Sequence, residues 1–253
     1  MSPQSTIFFN RIEIKYLVDR TTRTALTRDL AAFMRPDLHA GTDGSYQVRS
    51  LYFDTHDYSA YFEKMAGEAT RHKLRIRAYG EDPAREALVR LEVKSRYLSY
   101  VRKITVDVSR EDYAAIECAL KHRLLPPADI MYDGEASQEF FRIQKLYNME
   151  PKILIQYRRQ AFERVEINRT RVNFDDELLA TRTLDLLGPL TGARRLLDHG
   201  HAIFEIKVDN VLPYWLHMLI AKYDLQNEAV SKYCFSIQSE SRSPARGREQ
   251  IYA

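Results

Sequence analysis

Cysteine is scarce: Cys118 and Cys234 are the only two and form neither a CxxC pair nor a Cys/His spacing, which argues against a disulfide scaffold or a structural zinc site. No stretch approaches the roughly 18 uncharged apolar residues of a membrane helix. The run Ile7-Phe8-Phe9 stops at Asn10-Arg11, too early for a signal peptide. The expectation is a soluble cytoplasmic protein in a reducing compartment. GxxxxGK[ST] and GxGxxG are both missing, so a nucleotide would not be held by a P-loop or a Rossmann turn. No Ser or Cys stands in a nucleophile elbow, and His199-Gly200-His201 lacks a third metal ligand at helical spacing. An excess of one charge is absent too. Across 253 residues, 38 Lys and Arg meet 35 Asp and Glu for a net +3, so any electrostatic specialisation must come from local arrangement. Tyrosine is abundant but stands among apolar residues, as in Ser50-Leu51-Tyr52-Phe53-Asp54, and no nucleic-acid partner is expected.

What the chain does have is alternation. In Arg11-Ile12-Glu13-Ile14-Lys15-Tyr16 one parity is charged and the other apolar, and the pattern returns at Lys73 to Arg77, Arg90 to Lys94, Arg169 to Val172 and Phe204 to Val208. Side chains of a strand point to alternate faces, so each segment presents a charged row and an oily row.

These segments place strands at about 11–18, 46–54, 72–79, 87–96, 100–108, 152–165, 168–175 and 201–208. Helical patterns run from Thr21 or Thr22 to about Phe33, near Tyr58 to Met65, from a Ser109-x-x-Asp112 cap, from about Ser137 to Tyr147, and from Pro213. Residues 124–134 read as a loop, with turns at Glu81-Asp82-Pro83 and Ile167-Asn168. The sum is an α+β pattern in one domain, residues 1–238, and a polar tail, 239–253, expected to be disordered.

Alternation alone leaves two architectures open: an open sheet with its charged face in water, or a sheet closed so that the charged rows line a tunnel. Phase favours an anion site. Lys15, Arg75, Arg77, Lys94, Lys103, Arg159, Arg171 and Lys207 share a face with other charged or polar residues of their strands, and Lys232 is a further candidate. Like charges two apart repel unless an anion lies between them. A mixture of forked Arg and point-charge Lys suits a chain of phosphates. Glu13, Glu92 and Glu205 each stand two residues before a lysine; they serve either as counter-ions or as carboxylates for Mg²⁺ or Mn²⁺.

The ordered set Arg11-Ile-Glu-Ile-Lys-Tyr16, Ser50-Leu-Tyr-Phe-Asp-Thr55, Leu74-Arg-Ile-Arg-Ala-Tyr-Gly80, Leu91-Glu-Val-Lys94, Tyr157-Arg-Arg-Gln-Ala-Phe162, Arg169-Thr-Arg-Val-Asn-Phe-Asp175, Phe204-Glu-Ile-Lys207 and Val230-Ser-Lys-Tyr-Cys-Phe235 resembles the polyphosphate polymerase (VTC) domain of the triphosphate tunnel metalloenzyme superfamily, which includes the CYTH-type triphosphatases. The resemblance implies an eight-stranded antiparallel β-barrel, the triphosphate tunnel, with helices packed on the outside. It implies γ-phosphate transfer from ATP to polyphosphate with Mn²⁺ or Mg²⁺. Pyrophosphate and triphosphate are related ligands, and a tripolyphosphatase, a nucleoside triphosphatase or a non-catalytic binder are the alternatives. Carried over by position, Lys15, Arg75, Arg77, Lys94, Lys103, Arg159, Arg171, Lys207 and Lys232 resemble phosphate ligands. Among them, Lys15, Arg75, Arg77, Lys94 and Arg159, together with Glu205, resemble the catalytic set. Glu205 resembles the main metal ligand, with Glu13 and Glu92 beside it. Two departures stand out: Arg11 replaces the first glutamate of the CYTH Glu-x-Glu-x-Lys signature, and Phe235 stands where the final strand of eukaryotic VTC domains tends to carry a second lysine. The phosphate-sensing and membrane segments of eukaryotic relatives are not found in these 253 residues, so coupling to translocation would require a separate membrane partner.

Overall fold

Wherever the sequence alternates between charged and apolar residues, the computed structural model has a strand; it describes residues 4–8, 11–38, 41, 43–80, 82, 88–98, 100–164 and 169–241. In chain order the elements are β1 (Gln4–Phe8), β2 (Arg11–Val18), α1 (Arg20–Leu30), β3 (Arg35–Pro36), β4 (Ser45–Asp54), α2 (Ser59–Ala66), β5 (Thr70–Tyr79), β6 (Leu88–Tyr97), β7 (Tyr100–Val108), α3 (Arg110–His122), α4 (Ala128–Met131), α5 (Gly134–Leu146), β8 (Glu150–Arg164), β9 (Thr170–Thr181), β10 (Arg194–Arg195), β11 (Ala202–Asp209), α6 (Tyr214–Lys222) and α7 (Lys232–Ser241). Helices start where short polar side chains satisfy free N–H groups: Asp19 accepts from the Thr22 amide at 2.8 Å, and Ser109 from the Asp112 amide at 3.0 Å.

One antiparallel sheet runs β1-β7-β6-β5-β4-β8-β9-β11-β2, with β3 added to β8 and β10 to β9. Among the described residues no ladder joins β2 to β1 or β7, so the expected closed barrel of eight strands is corrected to an open sheet. It is nevertheless strongly curled. β1 and β2 lie at opposite ends of the strand order, yet Phe8 and Arg11 are three residues apart in the chain, a reach of at most about 11 Å. The Lys94 ammonium on β6 also meets a Glu13 carboxylate oxygen on β2 at 3.1 Å, although five strands separate them in the sheet order.

The oily rows lie on the convex side. Leu51, Leu74, Ile76, Leu91, Val93 and Ile104 pack with Tyr113 and Ile116 of α3 and Phe140 and Phe141 of α5. Val172, Phe174, Phe204 and Ile206 pack with Leu26 and Leu30 of α1 and Leu216 and Leu219 of α6. Burying each of these side chains contributes about 1.5–3 kcal/mol, far more than a surface ion pair. The apolar rows therefore decide which face turns outward under the helices.

Helix α7 departs from the expectation that the helices lie outside. Its Tyr233 and Cys234 cluster with Tyr52, Ile153, Ile155, Tyr157 and Ile203, whose ladder positions put them on the charged face. Part of the concave wall is thus apolar and covered by α7. A bulge contributes to this: Glu177, at φ 50°, breaks the β8–β9 register, so Leu178 and Ala180 join this cluster. Three further differences concern extent. The short strands β1, β3 and β10 and the turn of helix α4 inside the expected 124–134 loop carry too few residues to show a period. Strand β9 continues to Thr181, and α7 makes residues 239–241 helical. The remaining tail, 242–253, and the turn residues Glu81, Pro83, Ile167 and Asn168 lie outside the described residues. Among the described residues, no helix is long and apolar enough to cross a membrane.

Candidate functional site

Strand register converts the sequence's charged rows into levels across the concave face. Lys73, Lys94 and Lys103 stand opposite one another on β5, β6 and β7; one level on, Tyr52, Arg75, Glu92 and Thr105 are aligned; then Ser50, Arg77, Arg90 and Asp107. On the other half of the sheet the levels are Arg159 with Asp175, Asn173 with Glu205 and Lys15, and Arg171 with Lys207 and Glu13. Lys15, Arg75, Arg77, Lys94, Lys103, Arg159, Arg171 and Lys207 therefore share the concave face. Lys232 joins them from the first turn of α7 rather than from a strand, its ammonium 2.6 Å from Asp175 Oδ2.

Two carboxylates anchor two poles. Glu92, only 2% exposed, accepts from Arg75 Nε at 2.7 Å, with Arg77 Nη1 at 3.4 Å and the Lys103 ammonium at 3.6 Å. Burial opposes its ionisation, but Arg75, Arg77 and Lys103 outweigh that cost and hold it well below the usual carboxylate range. Glu205, 4% exposed, has the ammonium groups of Lys207 at 2.5 Å and Lys15 at 3.4 Å, and Arg159 Nη2 at 3.8 Å. Burial is again overruled, here by Lys207, Lys15, Lys232 and Arg159, and its pKa also lies well below the usual range. Glu13 links the poles by accepting from both Lys15 and Lys94; burial and Glu205 push its pKa up, yet Lys94, Lys15 and Lys207 bring it to about 2.

Burial dominates for several lysines. It lowers Lys207 to about 7 despite Glu205 and Glu13, and Lys103 to about 8 despite Glu92, with Arg75 and Arg77 adding to the decrease. Lys73 falls to about 8 by burial and the repulsion of Lys94, Lys15 and Lys64. The face thus holds ionised carboxylates together with three lysines whose charge burial disfavours, while Glu205 and Glu13 overcome burial at Lys15 and hold its ammonium charged.

The structure places the expected metal carboxylates apart. Glu13 and Glu205 share Lys15, whereas Glu92 is held by Arg75, Arg77 and Lys103. No group of three His, Cys, Asp or Glu residues suited to a metal occurs among the described residues. One observation fits a hard divalent cation all the same. Asn173 Nδ2 donates to Glu205 Oε2 at 3.2 Å, leaving Asn173 Oδ1 buried without a partner. An amide oxygen beside the Glu205 carboxylate, with Glu13 nearby, offers the oxygen donors that Mg²⁺ and Mn²⁺ prefer when phosphate and water complete the shell.

Sequence reasoning passed over several residues here. Asp175 is fully buried and takes both prongs of Arg159, at 2.6 and 2.7 Å; its position two after Asn173 and four after Arg171 was the available signal. Lys73 was equally visible, two before Arg75. The Tyr157 hydroxyl is buried without a partner, and the Arg159 guanidinium and the Lys232 ammonium lie over its ring; its signal, a place two before Arg159, was masked by Ile153 and Ile155 in the same row. Arg171 turns to Asp37 at the rim.

The profile of the VTC domain family matches residues 10–240. No curated protein matches. Among solved structures the chain is similar to a proposed adenylate cyclase from Bacillus halodurans, with 15% identity and a TM-score of 0.49 over 88% of this chain and 96% of that one. It is also similar to a proposed adenylate cyclase from Vibrio parahaemolyticus, with 13% identity and a TM-score of 0.47 over 90% and 99%. A third similar structure is a protein from Pyrococcus horikoshii, with 10% identity and a TM-score of 0.45 over 91% and 98%.

Proposed function

The chain belongs to the VTC domain family, and from that premise we propose that it is a polyphosphate polymerase, transferring the γ-phosphate of ATP to a polyphosphate chain held in a basic tunnel formed by the curled sheet. The observation that carries this reading is the convergence of Arg75, Arg77, Lys103, Lys15, Lys207 and Arg159 around two buried carboxylates on one concave face. Cations packed this densely are stable only with compensating negative charge, and Glu92, Glu13, Asp175 and Glu205 supply part of it. A chain of phosphates would supply the rest.

In this reading Arg75 and Arg77 grip phosphate oxygens with their planar forks, while Lys15, Lys94 and Lys103 add point charges. Cations on both halves of the sheet hold donor and acceptor in line, which removes much of the entropy barrier. A terminal oxygen of the acceptor chain forms a bond to the γ-phosphorus, the bond from that phosphorus to the β,γ-bridging oxygen breaks, and ADP leaves. No covalent enzyme intermediate is required. Glu205, Glu13 and Asn173 Oδ1 are the groups that would hold Mg²⁺ or Mn²⁺, whose chemistry is to polarise phosphoryl oxygens and offset negative charge during transfer.

The test is to incubate pure protein with ATP and Mn²⁺ and resolve the products by length. Long phosphate chains are expected. ADP and orthophosphate alone would mean hydrolysis, and unchanged ATP with retained polyphosphate affinity would mean a binder.

A pH dependence follows from the lysines. With Lys103 at about 8 in the free protein, lowered by burial and by Arg75 and Arg77, a bound polyanion raises its pKa, so binding takes up protons. Affinity is then fullest below about pH 8 and falls as the pH rises through it. Titration calorimetry with tripolyphosphate at pH 8, in two buffers of different ionisation enthalpy, should report net proton uptake; proton release would contradict the assignment.

A further inference from the structure

Outward from Arg75, the concave row of β5 continues with Lys73 and Arg71, two residues apart each time. Lys73 stands opposite Lys94, which stands opposite Lys103, while Arg71 stands opposite Arg96. These two levels therefore carry five cations and no carboxylate of their own. The partners of Lys94 and Lys103, Glu13 and Glu92, belong to other levels. Among the described residues, no hydrogen bond or ion pair reaches the side chain of Lys73 or Arg71, although Glu63 and Glu68 act on Arg71 from a distance. Like charges directly opposite in a ladder are destabilising, and burial of Lys73 compounds the cost. Nothing in the folding of the sheet calls for this arrangement, since any neutral polar side chain would serve there better.

We infer that the Lys73–Lys94–Lys103 and Arg71–Arg96 levels form a further anion subsite that takes the distal phosphates of a linear polyphosphate, beyond those held by Arg75 and Arg77. This rests on reading the concave face as a phosphate site. Along β5, Arg71, Lys73, Arg75 and Arg77 span three two-residue steps, about 20 Å at roughly 3.3 Å per residue. A triphosphate is shorter than that ladder, whereas a longer chain presents a negative charge at every level.

The inference is tested by titrating inorganic tripolyphosphate and long-chain inorganic polyphosphate, at fixed ionic strength, into wild type, Lys73→Met, Lys73→Arg and Arg75→Ala. Lys73→Met should weaken long-chain binding about tenfold, the loss of one charge-assisted contact, and change tripolyphosphate binding less than about threefold. Lys73→Arg should restore long-chain affinity. Without ligand, Lys73→Met should melt at a higher temperature than wild type. Equal loss for both lengths, or no loss for the long chain, overturns the inference. If Arg75→Ala binds both as wild type does, the underlying phosphate-site reading fails instead.

Discussion

Glu205→Gln is expected to remove metal-dependent turnover by a factor of at least about 100 without weakening tripolyphosphate binding in metal-free buffer. The substitution keeps the side chain's shape and removes the one nearly buried carboxylate that Lys15, Lys207 and Arg159 share. It also takes the charge from beside the unpartnered Asn173 Oδ1. Charge stabilisation by a bound divalent cation is worth several kcal/mol, hence the factor of about 100 or more. Breaking a buried network by removing one partner costs about 3–5 kcal/mol of stability; the cost should sit at the lower end, because Lys15 retains Glu13 and Arg159 retains Asp175. Steady-state assay with ATP and Mn²⁺, beside a urea unfolding curve, checks both parts. Full turnover in the variant would remove Glu205 from the chemistry.

Replacing Arg75 and Arg77 together with alanine should cost at least about 100-fold in tripolyphosphate affinity, since each charge-assisted hydrogen bond contributes about 1.5–3 kcal/mol. The same variant should lose about 3–5 kcal/mol of stability, because Glu92 is left buried with Lys103, at 3.6 Å, as its remaining ion-pair partner among the described residues. Glu92→Gln separates the two effects. As a counter-ion, Glu92 competes with the substrate for Arg75 and Arg77, so neutralising it should tighten tripolyphosphate binding. Adding Glu92→Gln to the double alanine variant should recover stability without recovering affinity. Unchanged calorimetric binding by the double alanine variant would end the tunnel assignment.

The phase of the concave face was legible because strand geometry has a period of two and the outward row is oily. The alternation around Arg75, Arg77, Lys94 and Lys207 was readable from their neighbours alone, and the ladders put the four on one face of the sheet. The limits were equally physical. The bulge at Glu177 reverses the parity of β9, which no local pattern announces. Helix α7 packs Tyr233 and Cys234 against the concave wall, and an apolar helical stripe looks the same whichever side of a sheet it covers. Closure was overestimated because curling and hydrogen-bonded closure share one sequence pattern; only the ladders show that, among the described residues, the outer edge of β2 meets an isolated bridge from Tyr16 to Asn227 and not another strand. The carboxylate roles depended on distance. Glu13, Glu92 and Glu205 have the same spacing to a lysine, yet Glu92 lies within an arginine clamp while Glu205 lies beside Asn173.

The most direct measurement is a crystal structure of the protein grown with tripolyphosphate. The account predicts phosphate density on the concave face, touching Arg75 and Arg77 on one side and Lys15 or Lys207 on the other, with Arg75 turned from Glu92 toward the anion. Tripolyphosphate ordered elsewhere on the molecule, with Arg75 and Arg77 still closed on Glu92, would contradict it.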